Sequence, residues 1–547
     1  MNRPPDAPIT ARELRARIMK LALGIVAAIA ISGEAAGQLI DKTVYPNTPN
    51  VGIAKSYPQQ IGAGRGNVMT PNSSLFLIKR DPFRAIRRGR QIFQRRFTRD
   101  QGQGPVTGDG PLDPTSLTTN SRAIGAGLMD SCAGCHGNVK GGAAAGGAIH
   151  TTPGGRNAPH LFGVGLKAML GEEITLDLWA IRDRAIADAK RQKRAVELPL
   201  RSKGIDFGTI KAFPNGDVDT SGVRGVGPNL QILTFNLGGH AGADPALKPF
   251  FVGAFNGEMG LEAVDEDIRS FYQTGHTVIT PAGLRIQGIN IEESPCRNDP
   301  NCDHDGDGVA NEVPQSIVDF MEFYLLNYFK PALGRQDATT REGERLLRDI
   351  GCTECHRQNL QIDRDLRVAD VETVYDPVRG NPFNNLFATA TALFHEVDDG
   401  SSHPTLKLPN EDPFLVRNIF TDFRTHDLGP NFHEQKWDGS IETESLTTPL
   451  WGVGSTAAYG QDGKSPTLED VILRHGGEAQ GARNAFAQLS DRSRHAILAY
   501  LNSLILFGPD ETASNLLPKN ANDPLYPIKG QGAISLTVLF NNPNDPE

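Results

Sequence analysis

The sequence predicts a mainly α-helical protein in two domains, with long irregular loops and few short strands. Strand-like alternation is rare and short. The motif Cys-x-x-Cys-His occurs twice, and its second copy follows the first by 220 residues, which indicates one motif per domain. Apolar residues recur at helical spacing in six segments, at about 168–193, 245–258, 315–329, 339–351, 466–475 and 490–505.

Each Cys-x-x-Cys-His motif is the attachment signature of a c-type haem. Two thiols at this spacing can bond to the two vinyl groups of one porphyrin, and the adjacent His supplies an axial nitrogen to the iron. A zinc site would need a second Cys or His pair, and a thioredoxin-like pair would not need the following His twice. We therefore expect two cytochrome c-like haem domains with two covalently bound haems. The residues are Cys132, Cys135 and His136 in the first, and Cys352, Cys355 and His356 in the second.

Composition and charge exclude some classes of partner. The chain has 547 residues, of which 38% are hydrophobic and 22% charged, as in ordinary globular proteins. Its net charge of -9 argues against a nucleic-acid partner. A basic stretch from Arg87 to Arg96 lies on a predicted amphipathic helix, and we expect it to be a solvated face rather than a binding patch. The apolar positions of that helix are Phe83, Ile86, Phe93 and Phe97.

The N-terminus has the pattern of a secretory signal peptide over residues 1–37. Four basic residues precede an apolar run from Leu21 to Ile31, and Ala35-Ala36-Gly37 offers small residues for cleavage. An uncleaved membrane anchor is the alternative, although the run is short for a bilayer. After cleavage we expect no stable membrane insertion and a periplasmic or secreted location in a bacterium, where c-type haem is attached outside the cytoplasm.

Changes in amino-acid composition divide the rest of the chain into four predicted regions. We expect an irregular N-terminal arm at 38–80, a first haem domain at 81–335, a second at 336–511 and a C-terminal tail at 512–547. The boundary between the haem domains falls near Pro331 to Asp337. Just after it, Thr339-x-x-Glu342 predicts a capping box. The helix that follows would point Leu346, Leu347 and Ile350 inward.

A loop at 303–312 resembles a calcium site. Its carboxylates alternate and a Gly stands at the sixth position, as in the first half of an EF-hand loop. The twelfth position is Pro314, so another oxygen must complete the shell. The predicted ligands are Asp303, Asp305, Asp307, Asn311 and Glu312. The alternative is a solvated acidic turn, in which the carboxylates would repel one another.

Two further cysteines lie six residues apart just before this loop, at Cys296 and Cys302. In an oxidising compartment we expect them to form a small loop disulfide. Free thiols are the alternative.

The ordered set of motifs resembles the bacterial di-haem cytochrome c peroxidase and MauG superfamily. The nearest branch is that of the peroxidase-type di-haem oxidoreductases, also described as thiol oxidoreductase-like, and the rubber oxygenase RoxA is similar in outline. The matching segments, in family order, are Ser131–His136, Arg156–Gly163, Phe255–Gly260, Asp305–Glu312, Thr421–Pro430, Thr448–Gly454 and His475–Ala479.

This resemblance implies axial ligands. His136 and His356 would be the proximal ligands. His475 ends the segment that carries the sixth ligand of the second haem in the family, and would give a bis-His electron-transfer haem. Alternatively, His475 only caps its helix before Gly476. For the first haem, His150 stands near the family position of a removable distal ligand. It could equally be a loop residue with no role in ligation, as in the open MauG and RoxA types.

The resemblance also implies a proton-transfer residue beside an open first haem. Glu258 is the first candidate and Glu262 the second. The neighbouring Phe250, Phe251 and Phe255 would raise the pKa of Glu258 through desolvation. The alternatives are a surface carboxylate, and an apolar oxygen pocket lined by the same phenylalanines. We expect propionate contacts or supporting roles from His160, His426 and Tyr459.

Two positions depart from the family. Gln461 stands where relatives have His, and Leu237 aligns where many relatives place a Trp between the haems. The tryptophans of the chain are Trp179, Trp437 and Trp451.

The predicted function is that of a periplasmic di-haem oxidoreductase of peroxidase type. A small donor, such as a c-type cytochrome or cupredoxin, would supply electrons through the second haem, and hydrogen peroxide would be reduced at the first. One alternative is a RoxA-like dioxygenase that cleaves an apolar polyisoprenoid-type substrate. Another is a non-enzymatic di-haem electron carrier.

Overall fold

The computed structural model describes residues 57–104, 129–136, 146–149, 156–235, 246–288, 311–375, 386–403, 405–435, 439–506 and 534–535. Its α-helices in these ranges are α1 (Tyr57–Ile61), α2 (Ser74–Arg80), α3 (Pro82–Gln94), α4 (Cys132–His136), α5 (Val164–Gln192), α6 (Leu247–Met259), α7 (Glu266–Thr274), α8 (Gln315–Leu326), α9 (Ala338–Asp349), α10 (Leu468–Arg474), α11 (Gln480–Gln488) and α12 (Asp491–Ser503). Short 3-10 helices form at Arg99–Gln101, Cys352–Glu354, Val453–Ser455 and Gly477–Ala479.

Short strands fill the spaces between the helices. They are β1 (Gly146–Ile149), β2 (Arg156–Ala158), β3 (Val196–Ser202), β4 (Ile205–Ala212), β5 (Val218–Asp219), β6 (Val278–Ile279), β7 (Arg285–Ile286), β8 (Ala332–Leu333), β9 (Leu360–Ile362), β10 (Ala369–Tyr375), β11 (Leu386–Ala392), β12 (Phe394–Val397), β13 (Leu406–Pro409), β14 (Phe414–Val416), β15 (Thr425–Asp427), β16 (Glu434–Gln435), β17 (Ile441–Glu442), β18 (Glu444–Leu446), β19 (Leu504–Ile505) and β20 (Ile534–Ser535). In the described part of the chain, β3-β4-β5 and β10-β11-β20 form three-stranded sheets and the other strands pair in twos.

The six segments with helical periodicity are confirmed as helices, with ends shifted by a few residues. The start of α9 differs from the predicted capping box. Asp337 is the N-cap, since its carboxylate accepts from the backbone N–H groups of Thr339 and Thr340. Thr340, rather than Glu342, completes the reciprocal bond to the backbone N–H of Asp337. Leu347 points inward as predicted.

The expectation of a solvated basic face on α3 is wrong. Arg87, Arg88, Arg90 and Arg95 are all buried. The reason is close packing of α3 on α8: a Cβ on Gly89 would lie 2.2 Å from the carbonyl oxygen of Phe320.

The buried guanidinium groups find partners inside the protein. Arg88 binds the side chain of Asn72 and lies over the ring of Phe320. Arg95 binds Gln60 and lies over the ring of Tyr57. Stacking and hydrogen bonding let guanidinium groups occupy the interior of a protein.

Two hydrophobic clusters organise the described residues. The larger is built on α3, α5, α6 and α8. The smaller joins α9 and α12, where a Cβ on Gly343 would lie 1.9 Å from the carbonyl oxygen of Ala496. Trp451 follows the second motif in sequence but belongs to the larger cluster. Its indole lies against the backbone of Gly163, so the two halves of the chain share one core at this point.

The N-terminal arm is partly helical, since α1 and α2 fall within the predicted irregular stretch. Ser73 caps α2 by accepting from the backbone N–H of Phe76. Among the described residues, no helix has both the length and the apolar character needed to cross a membrane. The predicted signal segment lies outside these residues, as do Cys296, Cys302, Leu237 and Trp437.

Candidate haem sites

The first motif lies on α4, between the ends of α3 and α6. The backbone N–H of Phe97 donates to the carbonyl of Asp130 at 2.7 Å, and that of Met129 donates to the carbonyl of Glu258 at 3.1 Å. The hydroxyl of Ser131 accepts from the backbone N–H of Gly134, which closes the first turn. These bonds place the motif beside the last turn of α6.

His136 has the geometry of an iron ligand. Its Nδ1–H donates to the carbonyl oxygen of Pro159 at 2.7 Å. Because a carbonyl can only accept, the proton lies on Nδ1 and the lone pair on Nε2. Burial lowers the pKa of His136 and keeps the ring neutral. A neutral imidazole with Nδ1 bonded to a carbonyl is the form in which histidines ligate metals.

The second motif repeats this arrangement in a tighter turn. Cys352–Glu354 is a 3-10 helix, and the backbone N–H of His356 donates to the carbonyl of Cys352. The His356 Nδ1–H donates to the carbonyl oxygen of Phe420 at 3.1 Å, which again leaves the lone pair on Nε2. Burial lowers the pKa of His356 to about 4, so this ring is also neutral.

The cysteines of both motifs fit covalent haem attachment. Cys132, Cys135, Cys352 and Cys355 take part in no disulfide within the described residues. Cys132 packs against the larger hydrophobic cluster and Cys352 against the smaller, so each motif borders an apolar wall that suits a porphyrin. Burial raises the pKa of Cys132 to about 12 and that of Cys352 to about 11. The donor set and its surroundings therefore fit one c-type haem at each motif.

His475 lies near the second motif. It occupies the C-cap position of α10, as the capping alternative predicts. Its Nδ1–H also donates to the carbonyl of Val471 at 2.7 Å, which gives it the same tautomer as the two motif histidines. Its ring centroid lies 5.0 Å from that of Phe432. A charge on His475 would lower the pKa of His356, so the two rings lie within electrostatic reach of each other.

Glu258 is the carboxylate beside the first motif. It lies in the last turn of α6, and a charge on it would raise the pKa of Cys135. Burial raises the pKa of Glu258, as the sequence predicted. Within the described residues, no hydrogen bond or ion pair holds its carboxylate. Phe251 and Phe255 of the same helix are buried.

Glu262 lies beyond the end of α6, at the exit of the predicted calcium loop. Its backbone N–H donates to the carboxylate of Glu312, and its carbonyl accepts from the backbone N–H of Val313. The side-chain oxygen of Asn311 accepts from the backbone N–H of Val264 at 2.7 Å. Asn311 and Glu312 thus fasten the loop exit to the 262–264 segment. The calcium site stays a prediction, since Asp303, Asp305 and Asp307 lie outside the described residues, as does His150.

His426 is bonded through both ring nitrogens near the second motif. Its Nε2 lies 3.0 Å from Asp422 and its Nδ1 lies 2.9 Å from Glu478. Burial lowers the pKa of His426, but the hydrogen bond to Asp422 and a contact with Cys355 outweigh burial and raise the pKa to about 10. Ligand atoms of Cys355, Asp422 and His426 lie within 4.8 Å of one another. His426 therefore lies beside a cysteine of the second attachment motif, and its role in support of a haem stays a prediction. Tyr459 packs against the smaller hydrophobic cluster.

Three polar residues near the first motif were not predicted as site residues. Lys167 lies close enough to His160 to lower the pKa of that ring. Burial lowers the pKa of Lys167 itself to about 8. Arg90 and Cys132 both act electrostatically on the buried Tyr324. In the sequence, Lys167 and Arg90 are basic residues among the apolar residues of a helix. This pattern alone does not distinguish a residue of a buried site from a surface residue.

One comparison with known proteins finds a match in the second half of the chain. The model of the family described as "Di-haem oxidoreductase, putative peroxidase" matches residues 415–504. This segment follows the second motif and contains His426, Tyr459 and His475. A comparison of the chain with curated proteins finds no match.

Proposed function

We propose that the chain is a periplasmic di-haem c-type oxidoreductase that reduces hydrogen peroxide at the first motif with electrons relayed through the second. His136 and His356 would be the proximal ligands, and His475 would complete the second iron. When bound, the first haem would supply an open iron for peroxide and the second a one-electron carrier. A soluble electron-transfer protein, such as a c-type cytochrome or cupredoxin, would be the donor.

The observation that carries this proposal is the difference between the two motifs. Both present a proximal imidazole with its Nδ1–H bonded to a backbone carbonyl. Near the second motif lies another imidazole in the same tautomer, His475. Beside the first motif lies a carboxyl group instead, Glu258, whose pKa burial raises. An imidazole suits a permanent sixth ligand, whereas a carboxyl group suits proton transfer.

Glu258 would move the proton that peroxide cleavage requires. Reduction of one hydrogen peroxide to two waters consumes two electrons and two protons. The carboxylate would take a proton from the nearer peroxide oxygen and give it to the farther one, which then leaves as water. Both protons that the reaction consumes would come from solvent, because the proton that Glu258 moves already belongs to the peroxide. The buried rings of Phe251 and Phe255 would exclude other water, which strengthens this transfer.

Substitution of Glu258 tests the proposal. We expect Glu258→Gln to keep both haems and to lower peroxide turnover by about 100-fold or more, since the amide cannot shuttle a proton. Glu396→Gln is the control, because Glu396 lies exposed on the β12–β13 hairpin. Haem content would be measured by the pyridine haemochrome spectrum. Peroxide turnover would be measured with a reduced small cytochrome as donor.

Electron paramagnetic resonance of the oxidised protein gives an independent readout. We expect one low-spin signal that Glu258→Gln preserves and His475→Ala removes, and His150→Ala would report on the distal side of the first iron. Normal peroxide turnover in Glu258→Gln would contradict the role of Glu258. Two low-spin irons inert to peroxide would favour an electron carrier. A stable oxygen complex with cleavage of a polyisoprenoid would favour the dioxygenase.

A further inference from the structure

We infer that His160 is the bridge through which the two haem sites are electronically coupled, by a continuous backbone and hydrogen-bond route from His136 to His356. This inference rests on the proposed function, because it needs two haems and an electron that passes between them. The route uses residues from both halves of the chain.

The first half of the route runs from His136 to His160. The Nδ1–H of His136 donates to the carbonyl oxygen of Pro159 at 2.7 Å. The peptide bond after this carbonyl leads directly into His160. The His160 Nε2–H then donates to the carbonyl oxygen of Trp451 at 3.0 Å, and so crosses from the first half of the chain to the second.

The second half of the route runs from Trp451 to His356. The preceding residue, Leu450, donates its backbone N–H to the carbonyl oxygen of Ile419 at 3.0 Å. The next peptide leads into Phe420, whose carbonyl oxygen accepts from the Nδ1–H of His356 at 3.1 Å. Four hydrogen bonds and the short backbone segments between them therefore connect the two proximal imidazoles.

His160 supplies the one side chain between the two ligands, since every other group on the route is backbone. The tautomer and the charge of the His160 ring are both defined by its surroundings. Because its Nε2 donates to a carbonyl, the neutral ring has its lone pair on Nδ1, and this buried atom has no hydrogen-bond partner among the described residues. Burial also lowers the pKa of His160 to about 4, so the bridge does not change charge near neutral pH.

The surroundings fix both ends of the His160 bond. The indole of Trp451 is 4% exposed and lies against the backbone of Gly163. A Cβ on Gly452 would lie 3.1 Å from Nε2 of His160, so this turn also passes close to the ring. The sequence places Leu237 where relatives have a Trp, and the route through His160 does not involve that position.

One electron would pass along this route at a time, from the reduced second iron to the oxidised first iron. No proton needs to travel with it, because each donor on the route keeps its own hydrogen. Two such transfers would balance the two-electron reduction of peroxide. The donor would be the soluble redox protein named above.

Asn157 provides a matched control. Its side-chain amide donates to the carbonyl oxygen of Ala458 at 3.0 Å, which is a contact of the same length between the same two halves of the chain. Asn157 does not lie on the route between the proximal histidines. Asn157→Ala therefore removes one contact between the halves and leaves the route intact.

The experiment compares His160→Ala, His160→Gln and Asn157→Ala in the full-length holoprotein. A photoexcited ruthenium complex would inject one electron into the second haem, and transient absorption would follow its arrival at the first. We expect His160→Ala to slow this transfer about tenfold or more, the scale on which groups that support metal ligands act. His160→Gln, whose amide can donate to Trp451, should restore most of the rate. Asn157→Ala should match the wild type.

Three further measurements make the outcomes distinct. Pyridine haemochrome and mass spectra count the haems, and fewer than two would contradict the proposed function itself. Spectroelectrochemical titration gives both midpoint potentials, which should be alike in all variants. With two haems and unchanged potentials, a wild-type rate in His160→Ala would overturn the route. An equal loss of rate in Asn157→Ala would also overturn it, because the effect would then come from weakened contact between the halves.

Discussion

Substitution of Gly163 by Ala tests whether Trp451 holds the two halves of the chain together. Gly163 has φ +72°, a left-handed conformation. A Cβ there would lie 2.7 Å from Cη2 and Cζ2 of the Trp451 indole. The backbone cannot easily withdraw, because the N–H of Gly163 donates to the carbonyl of Phe329 at 2.6 Å. The new methyl group must therefore displace the indole.

Two costs add in this variant. A left-handed Ala costs about 1–2 kcal/mol relative to Gly. An extra carbon in a packed interior costs about 1–3 kcal/mol. We therefore expect Gly163→Ala to lower the free energy of unfolding by about 2–5 kcal/mol. Gly204→Ala separates the two costs, because Gly204 has φ +77° and an added Cβ would meet nothing within 4 Å.

Urea unfolding followed by circular dichroism would measure both variants. The difference between Gly163→Ala and Gly204→Ala reports the packing cost alone. If Gly163→Ala destabilises the protein no more than Gly204→Ala, the indole does not pack against Gly163 as described. A shift of the Soret band in Gly163→Ala alone would show that the displacement reaches a haem.

Three other substitutions test separate parts of the structure. His475→Ala should convert the second iron from low-spin to high-spin, and an unchanged visible spectrum would exclude His475 as a ligand. Lys248 is buried with Nζ 2.5 Å from Asp267 and 2.9 Å from Asp319. Lys248→Met should therefore cost about 3–5 kcal/mol in urea unfolding, because it removes the fully buried cation of this cluster and leaves only Arg65 beside the two carboxylates.

Burial raises the pKa of Glu322 to about 8 from an ordinary value of 4.5, so the folded protein keeps a proton that the unfolded chain loses. Stability should then fall as pH rises from 4.5 to 8, and Glu322→Gln should reduce that slope by up to about 1.4 kcal/mol per pH unit.

Local sequence patterns predicted the parts of the structure that depend on neighbouring residues. The helical segments follow from apolar spacing, and the raised pKa of Glu258 followed from the phenylalanines beside it. The capping prediction failed by two positions because two residues that stand two positions apart, Asp337 and Thr339, can both cap a helix. Only the folded chain shows which of them lies at the first turn.

The parts that the sequence did not predict depend on distant segments. Arg88 and Arg95 look like surface residues, because nothing nearby in the sequence shows that α8 and the N-terminal arm cover them. His426 was singled out only through resemblance, and its bonds come from residues 4 and 52 positions away. The bond between His160 and Trp451 spans 291 positions. Spacing and periodicity carry no information about such pairs.

The two attachment motifs would differ in function because different helix ends lie beside them. The last turn of α6 places Glu258 next to Cys135, and burial raises the pKa of Glu258. The end of α10 places His475 near His356, with the lone pair of its ring on Nε2. A carboxyl group with a raised pKa suits proton transfer, whereas a neutral imidazole is a good iron ligand. Identical Cys-x-x-Cys-His sequences can therefore hold an open haem in one half and a closed haem in the other. Exchange of the two motif sequences alone should therefore leave the open haem in the first half of the chain and the closed haem in the second.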